Sequence, residues 1–366
     1  MLTRPSTSIN KPRVFVGLSG GVDSSVSAAL LLQAGYTVTG VFIKVWSPEW
    51  LLCDWREERR DAMRVAAHLG IPFLTFDLED VYKKNVADYF LAEYKAGRTP
   101  NPDVLCNREV KFGAFLRLAR EQGADFIATG HYAQNVREDG VFHLKEGVDP
   151  SKDQSYFLWT LGQEELAHTL FPVGYLYKNE VRIVAKKLGL PTAAKKDSQG
   201  ICFLGPVDMK EFLAHYMKPS RGKVLNQQGT VIGEHPGALF FTLGERHGFT
   251  LSETRIRSEP HYVVAKNLQA NTITVAPAMV EQKKENVLKI ILESTHWVAG
   301  RAPVTDTNYL ARYRYHQQPQ QCRLEVTATH TTIIFETPQE AVSSGQSLVL
   351  YTSTDCLGGG TIASTE

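Results

Sequence analysis

Residues 14–24, Val-Phe-Val-Gly-Leu-Ser-Gly-Gly-Val-Asp-Ser, join a short apolar run to a glycine-rich turn, and the small, apolar segment Val22–Leu32 follows. This pattern predicts a buried strand, a tight loop and a buried helix. Glycines allow backbone N–H groups to approach an anion without obstruction, and the positive N-terminal end of a helix attracts the same anion. The hydroxyls of Ser19 and Ser24 can add hydrogen bonds. The stretch therefore predicts a phosphate-binding loop.

Other apolar, β-branched runs alternate with helical segments along the first half of the chain. The predicted strands are Thr37–Ile43, Pro72–Leu78 and Asp125–Gly130, and the predicted helices are Asp54–Leu69, Val81–Tyr94 and Glu109–Glu121. Nearly continuous apolar strands separated by helices indicate a parallel sheet with helices on both faces. Such sheets bind ligands beyond the carboxyl ends of their strands.

The rest of the chain has a different character. An Asp139-Gly140 turn predicts a hairpin at Val136–Leu144, and after about Gly205 one helix, Asp208–Met217, precedes short strand-like pieces. Strands are then predicted at Val287–Ile291, Asn308–Arg314, Cys322–Thr327, Thr332–Glu336 and Ser347–Tyr351. We expect an α/β protein with three domains: an N-terminal parallel-sheet domain with the phosphate-binding loop (1–205), a small mixed central domain (206–280) and a C-terminal β-barrel or sandwich (281–366).

The overall composition limits the classes of function. A chain of 366 residues with 43% hydrophobic content is expected to form two or three folded domains. The net charge of +1 means that a nucleic-acid partner would need local basic patches. No apolar run is long enough for a membrane span and the N-terminus lacks a secretory signal, so we expect a cytoplasmic protein without a membrane partner.

The glycine-rich loop differs from two common nucleotide-binding patterns. No lysine follows the glycines, as the GxxxxGK[ST] loop of kinases and GTPases requires, and the GxGxxG pattern of dinucleotide binding is absent. Asp23 would repel a phosphate unless a cation lies between them, which predicts Mg²⁺. We assign no protein side chain as a metal ligand.

Two of the five cysteines have sequence surroundings that suggest chemistry. Cys106 follows a loop with two prolines, and a helix is predicted to begin just after it, near Arg108. A thiol at a helix N-terminus has a lowered pKa, which favours the nucleophilic thiolate, and Asp103 could act as a general acid or base. The alternative is a buried structural cysteine.

Cys202 lies between Gly200 and Gly205, after the basic pair Lys195-Lys196. A mobile thiol near positive charge could carry a persulfide, although this setting alone fits a structural cysteine equally well. The case for Cys202 depends on its pairing with Cys106. The cysteine spacings do not fit a zinc ribbon, a CxxC redox centre or a secreted disulfide scaffold.

The sequence resembles the PP-loop ATP pyrophosphatases, which cleave ATP between the α and β phosphates, and more specifically the tRNA-specific 2-thiouridylases. The resemblance covers most of the chain, in order. The matching stretches are Gly17–Ser24, Ala92–Cys106, Ala128–Tyr132, Lys152–Phe157, Asp197–Phe203, Gly233–Pro236, Ala311–Arg314 and Cys356–Gly360. This family converts the uridine at the first anticodon position of some tRNAs to 2-thiouridine. Two residues depart from its pattern, since Ile43 replaces a usual Met and Glu245 a usual Gln.

The resemblance implies a role for each of several residues. Cys106, Cys202 and Asp103 would be catalytic. ATP would be held by Gly17, Leu18, Ser19, Gly20, Gly21, Val22, Asp23, Ser24, Ile43 and Gly130. The target base would meet Asn101, Pro102 and Asp103. The tRNA would contact His131, Lys152, Asp153, Gln154, Arg312, Tyr313 and Gln346.

Independent arguments support two of these assignments. Gly130 and His131 end a predicted parallel strand, where a ligand is expected. Arg312 and Arg314 alternate with Tyr313 on a predicted strand, which could present cations to phosphates on one face. The alternative for that stripe is an ordinary barrel strand with a solvated face.

The implied partners are tRNA and a protein that donates sulfur, and the implied cofactors are ATP and Mg²⁺ bound through the ATP phosphates. A monomer is expected. Two other functions remain open on the sequence. An amidating ligase of the PP-loop class would need a nitrogen source but not Cys106. A non-catalytic RNA-binding protein would use the loop only to sense a nucleotide.

Overall fold

The computed structural model describes residues 11–51, 55–197, 209–252, 260–277, 287–305, 307–327 and 329–366. The strands are β1 (Arg13–Gly17), β2 (Thr37–Lys44), β3 (Phe73–Asp77), β4 (Phe126–Ala128), β5 (Ala133–Glu138), β6 (Val141–Glu146), β7 (Thr169–Leu170), β8 (Gly222–Leu225), β9 (Val231–His235), β10 (Thr250–Leu251), β11 (His261–Asn267), β12 (Thr272–Pro277), β13 (Val287–Trp297), β14 (Asn308–Arg312), β15 (Gln320–Val326), β16 (Thr331–Gln339), β17 (Ser347–Tyr351) and β18 (Asp355–Thr365).

The α-helices are α1 (Val22–Gln33), α2 (Trp55–Leu69), α3 (Glu79–Tyr82), α4 (Asp88–Lys95), α5 (Pro102–Leu105), α6 (Phe115–Glu121), α7 (Gln163–Ala167), α8 (Lys178–Lys187) and α9 (Met209–Tyr216). Two π-helical segments, Lys83–Ala87 and Cys106–Ala114, continue α3 into α4 and α5 into α6. Short 3₁₀ turns lie at Ser155–Phe157, Pro172–Tyr175 and Ala238–Phe240. Within the described residues, no helix is both long and apolar enough to cross a membrane.

The N-terminal sheet is parallel, with strand order β3-β2-β1-β4-β7, which confirms the prediction from the apolar runs. The central strand β1 is buried on both faces. Val14 and Val16 pack with the core formed by α1 and α2, while Phe15 packs with Phe76 and Phe115 on the other face. The carboxyl ends of β1 and β4 therefore meet at one edge of the sheet, where α1 begins.

The predicted hairpin is present as β5 and β6, and it joins a different sheet. Asp139 and Gly140 both have positive φ, 47° and 85°, as a two-residue hairpin turn requires. Strand β6 pairs with β18, where Leu144 is opposite Cys356. The hairpin thus extends the C-terminal sheet, a pairing between distant parts of the chain that the local pattern did not predict.

The C-terminal strands form a closed six-stranded barrel, β13-β16-β15-β14-β17-β18, because β18 also pairs with β13. Five of these strands were predicted and β18 was missed. Its glycines lack the side chains that mark a strand, yet they allow close approach, since a Cβ on Gly359 would lie 2.0 Å from the Leu348 carbonyl oxygen. The predicted strand Asn308–Arg314 ends at Arg312.

The central part is a five-stranded sheet, β10-β9-β8-β12-β11, covered by α9. Phe212 and Leu213 of α9 share a core with Phe90 and Leu91 of α4, so this part packs directly on the N-terminal domain. The predicted boundaries at 205/206 and 280/281 lie outside the described residues and stay predictions.

Candidate active site

The glycine-rich loop follows β1 at the carboxyl edge of the parallel sheet. Gly20 has a φ of +73°, a backbone conformation that is strained for any residue with a side chain. A Cβ at this position would also lie 2.6 Å from the Glu58 carbonyl oxygen. The Ser24 hydroxyl lies 3.3 Å from both the backbone nitrogen and the hydroxyl of Ser19. These local bonds hold the loop around the start of α1, where backbone N–H groups and the helix dipole favour an anion.

The other residues predicted to bind ATP lie around this loop. A Cβ on Gly130, just after β4, would lie 2.7 Å from the Ser24 backbone nitrogen. A Cβ on Gly17 would lie 3.7 Å from Ile43, at the end of β2. Leu18 and Val22 are almost fully buried, so they can offer a ligand only their main chain. The fold therefore gathers the predicted set, Gly17 to Ser24 with Ile43 and Gly130, at one edge.

Asp23 already has a cationic partner within the protein. The ammonium of Lys178, the first residue of α8, lies 2.8 Å from both oxygens of the Asp23 carboxylate. The phenol of Tyr132 donates a hydrogen bond of 2.7 Å to the same carboxylate. Lys178 therefore compensates the charge of Asp23 without a metal ion, and the expected Mg²⁺ stays a prediction. Among the described residues, no group of three or more His, Cys, Asp or Glu side chains could hold a metal ion.

Tyr132 and Lys178 are site residues that the sequence argument missed. Burial, together with the neighbouring Asp23 carboxylate, raises the pKa of Tyr132, so its phenol stays protonated as a donor. Lys178 also lies 2.9 Å from Asp197, which accepts further ion pairs from Lys152 and Arg182. Tyr132 ends the matching stretch Ala128–Tyr132 but was given no role, and no motif marks Lys178, because its proximity to the loop arises only from folding.

The sequence had suggested that Cys106 lies at a helix start, but in the structure it does not. The helical stretch begins at Pro102, and the side chain of Asn101 caps it by accepting a hydrogen bond of 3.3 Å from the Val104 nitrogen. Proline suits the first helical position because its missing N–H needs no partner there. Cys106 opens the π-helical segment, a geometry frequent at functional sites.

The Cys106 side chain is fully buried. It belongs to an apolar core that includes Val104, Tyr156 and Val349. The expected exposure of a nucleophile is therefore absent in this conformation, and chemistry at Cys106 requires the surrounding chain to move. Asp103, in the first turn of the same helix, is partly exposed. Cys202 lies outside the described residues, so its distance from Cys106 stays open.

His131, beyond the end of β4, is buried against the rings of Phe112 and Phe171. One ring nitrogen lies 2.8 Å from the Thr129 hydroxyl and the other 3.3 Å from the Lys111 ammonium. Burial, with a contribution from the charge of Lys111, lowers the pKa of His131 well below 6.5. His131 is thus a neutral imidazole next to the Lys111 ammonium. Lys111 lies five residues after Cys106 on the same helical stretch.

Three neighbouring residues predicted to contact tRNA have partners within the protein. Lys152 pairs with Asp197 at 3.0 Å. Asp153 accepts hydrogen bonds from the Gly147 and Ser155 nitrogens, and Gln154 accepts one from the Tyr132 nitrogen. The Lys152 side chain is 38% exposed, whereas Asp153 is 5% exposed.

The predicted cationic stripe on β14 is wrong, because the strand ends at Arg312 and its guanidinium points at carboxylates. Arg312 pairs with Glu146 and Asp153. Tyr313 is buried, and its phenol donates to the Glu340 carbonyl. The next cation, Arg314, is exposed and donates to the Ala341 carbonyl.

A cavity of about 250 Å³ lies where the three parts of the chain meet. It brings together Asn101, Tyr313 and Gln346, which the sequence assigned separately to the target base and tRNA. The other lining residues are Tyr156, Thr242, Leu243, Arg314, Tyr315, Ala341 and Ser343. Thr242 and Leu243 lie just before Glu245, a residue that departs from the family pattern and accepts a hydrogen bond from the Thr242 nitrogen.

Three family profiles match consecutive parts of this chain. They are described as a tRNA methyl transferase HUP domain (residues 12–206), a tRNA methyl transferase PRC-barrel domain (210–277) and an aminomethyltransferase beta-barrel domain (287–362). The first profile covers the parallel sheet with its loop, the second the central sheet and the third the closed barrel.

Similar proteins match nearly the whole chain. A tRNA-specific 2-thiouridylase MnmA from Stenotrophomonas maltophilia is 47% identical over 366 residues, covering 98% of this chain and 95% of the relative. One from Streptococcus uberis is 43% identical over 359 residues, covering 96% and 95%. A solved 4-thiouridine synthetase–RNA complex with bound ATP matches at 21% identity and a TM-score of 0.34, covering 56% of this chain and 50% of that one. Because these relatives match nearly the whole chain at 43% and 47% identity, the chain belongs to the family of tRNA-specific 2-thiouridylases.

Proposed function

We propose that this protein is a tRNA-uridine 2-sulfurtransferase, which uses ATP to convert the wobble uridine of tRNA to 2-thiouridine. The observation that carries the proposal is the full-length likeness to 2-thiouridylases, together with a glycine-rich loop at the carboxyl edge of a parallel sheet. The ATP site would comprise Gly17 to Ser24, Ile43 and Gly130. This fits a cradle in which a side chain at Gly130 would collide with the loop.

The first half of the reaction would activate the base. The uridine O2 attacks the α-phosphate of ATP, which gives an adenylated base and pyrophosphate. A poor leaving group at C2 is thereby replaced by AMP, a good one. Mg²⁺, held through the ATP phosphates, would offset their negative charge. The backbone N–H groups of the loop would orient the phosphates, and the target base would leave the anticodon stack to meet Asn101, Pro102 and Asp103.

The second half would deliver sulfur. A partner protein loads Cys202 with a persulfide, and the Cys106 thiolate attacks the Cys202 sulfur, which releases hydrosulfide and forms a Cys106–Cys202 disulfide. Hydrosulfide displaces AMP from C2, with Asp103 transferring protons, and a thiol reductant restores the two cysteines. Direct attack by the persulfide is the alternative route. Because Cys106 is fully buried, disulfide formation requires a rearrangement around it.

The tRNA would be bound across all three parts of the chain. His131, Lys152, Asp153, Gln154, Arg312, Tyr313 and Gln346 are the proposed contacts. The cavity that includes Tyr313 and Gln346 supports this set, whereas the intramolecular ion pairs of Asp153 and Arg312 favour a positioning role for those two residues. The monomeric state, the cytoplasmic location and the two domain boundaries stay predictions.

The test is to incubate the protein with unmodified tRNA carrying a wobble uridine, ATP, Mg²⁺ and sulfide, then to search the digested RNA for 2-thiouridine by mass spectrometry. We expect 2-thiouridine only when ATP is present. Formation of AMP and pyrophosphate without 2-thiouridine would contradict the proposal and favour an amidating ligase. An absence of tRNA-dependent pyrophosphate release would favour a non-catalytic RNA-binding protein.

The cysteine roles are tested separately, with a persulfide-loaded donor in place of free sulfide. Cys106→Ala should still release pyrophosphate in the presence of tRNA and ATP, because activation of the base does not use the thiol. It should form no 2-thiouridine. Cys356→Ala is a matched control, since Cys356 is also buried but lies in the barrel and should be dispensable.

A further inference from the structure

The phosphate-binding loop lacks a lysine of its own, yet the fold brings one to it. Lys178 is 155 residues from Asp23 in sequence, and its ammonium lies 2.8 Å from both Asp23 oxygens. Asp23 is in the first turn of α1, two residues after the second loop glycine, Gly21. The Lys178 side chain is 15% exposed and that of Asp23 29% exposed, so the pair is partly shielded from solvent but not closed off.

Lys178 belongs to a cluster of ion pairs beside the loop. Lys178 also lies 2.9 Å from Asp197, which is bound by Lys152 and Arg182 as well. Asp149, which accepts a hydrogen bond from the Lys178 backbone nitrogen and interacts with the charge of Lys152, is a third carboxylate, so three carboxylates face three cations. Although burial acts to raise it, the hydrogen bonds from Lys178 and Lys152 lower the pKa of Asp197 to about 2, so the carboxylate stays ionised. The cluster therefore holds Lys178 as a charged ammonium in contact with Asp23, beside a loop whose geometry favours an anion.

Lys178 can turn toward a new partner without leaving a carboxylate isolated. Asp197 would retain Lys152 and Arg182, and Asp23 would retain the Tyr132 hydroxyl. An ammonium group has three donors on a flexible stem, so it can keep a bond to Asp23 while donating another to a phosphate oxygen. The helix position of Lys178 is itself fixed, because its backbone nitrogen donates to Asp149 at 2.9 Å.

We propose that Lys178 is a phosphate-binding residue of the ATP site, which supplies from α8 the cation that the loop sequence lacks. The inference rests on the proposed use of ATP. In this arrangement Asp23 orients the lysine rather than repelling the nucleotide. Lys178 is then a determinant of affinity for the triphosphate.

The experiment measures binding of a non-hydrolysable ATP analogue with Mg²⁺ to the full-length protein by isothermal titration calorimetry. Lys178→Met should weaken binding by roughly tenfold to a hundredfold, the range for a hydrogen bond to a charged group. Lys178→Arg keeps the charge and should restore most of the affinity. Arg182→Met is the matched control, because it also removes a cation from Asp197 but leaves Asp23 untouched.

The outcomes separate phosphate binding from a structural role. If Lys178→Met and Arg182→Met weaken binding equally, or if Lys178→Met binds like the wild type, the proposal is overturned. The thermal midpoint without ligand is recorded for each variant, and Lys178→Gln replaces Lys178→Met if the latter does not fold. If the wild-type protein binds no ATP analogue, the proposed function itself is overturned. A change in affinity that is confined to the variants leaves the proposed function intact.

Discussion

The guanidinium of Arg312, at the end of β14, donates a hydrogen bond of 3.3 Å to the carboxylate of Asp153, in the N-terminal part of the chain. Another guanidinium nitrogen pairs with Glu146 at the end of β6. Asp153 is 5% exposed and the Arg312 side chain 17% exposed, so these charges are largely removed from water. The barrel is thus joined to the catalytic part by a partly buried ion-pair network.

Replacing Arg312 by Met should lower the free energy of unfolding by about 3 kcal/mol, because it leaves two carboxylates without their cation in a shielded site. Chemical denaturation followed by circular dichroism measures this change. Arg323→Met is the control, since Arg323 is exposed on β15 and surface substitutions usually change stability by less than about 0.5 kcal/mol. A loss equal to that of the control would contradict a structural role for Arg312.

Replacing Gly130 by Ala should impair ATP binding more than it impairs folding. The new Cβ would lie 2.7 Å from the Ser24 nitrogen, so the loop must shift away from its anion-binding geometry. We expect a loss of affinity of at least about tenfold, as for a lost charge-assisted hydrogen bond. Calorimetric titration of the ATP analogue provides the measurement, and unchanged affinity would show that the loop tolerates the displacement.

A suitable control for that variant is Gly162→Ala, at the start of α7. Its Cβ would meet first the flexible end of the Glu165 side chain, at 3.2 Å. Gly162 is outside the loop, so ATP affinity should match that of the wild type.

Replacing Leu144 by Ala should lower stability by about 2–5 kcal/mol, because Leu144 is fully buried where the hairpin joins the barrel. Val141→Ala on the same hairpin is the control, since Val141 is 37% exposed. Thermal unfolding of both variants checks the difference. Equal thermal midpoints would mean that the pairing of β6 with β18 contributes little to stability.

Stability should fall as the pH is lowered through about 6.5, partly through His131. Its pKa in the folded state is lowered by burial, so below the unfolded value near 6.5 the unfolded chain binds a proton that the folded chain does not. The stability that depends on a neutral His131 is fully present above that pH and is lost progressively below it. His131→Gln should therefore show a smaller decrease of the thermal midpoint between pH 7 and pH 5.

The control for the pH series is His330→Gln, an exposed histidine in the barrel. It should retain the wild-type slope. An unchanged slope for His131→Gln would mean that His131 is protonated in the folded protein.

Local pattern was sufficient wherever neighbours in sequence are also neighbours in space. The apolar runs at 14–18 and 37–43 predicted two central strands, and the Asp139-Gly140 pair predicted the turn that the structure has. The local sequence pattern was misleading where the residues around a side chain come from distant parts of the chain. Cys106 was expected at a helix start with a lowered thiol pKa, but it lies within a helical stretch and is fully buried in a core that includes barrel residues. Glycine-rich β18 gave no alternating pattern because its role is to let two backbones approach.

By itself the sequence determined the parallel sheet, the phosphate-binding loop and the barrel, because periodicity and glycine placement act over a few residues. It also determined the family, through motifs spread over nearly the whole chain. Only the tertiary structure decided that Asp23 is neutralised by Lys178, that Arg312 faces carboxylates rather than solvent, and that the hairpin extends the barrel. These are contacts between residues more than a hundred positions apart, whose partners are chosen by packing rather than by local preference.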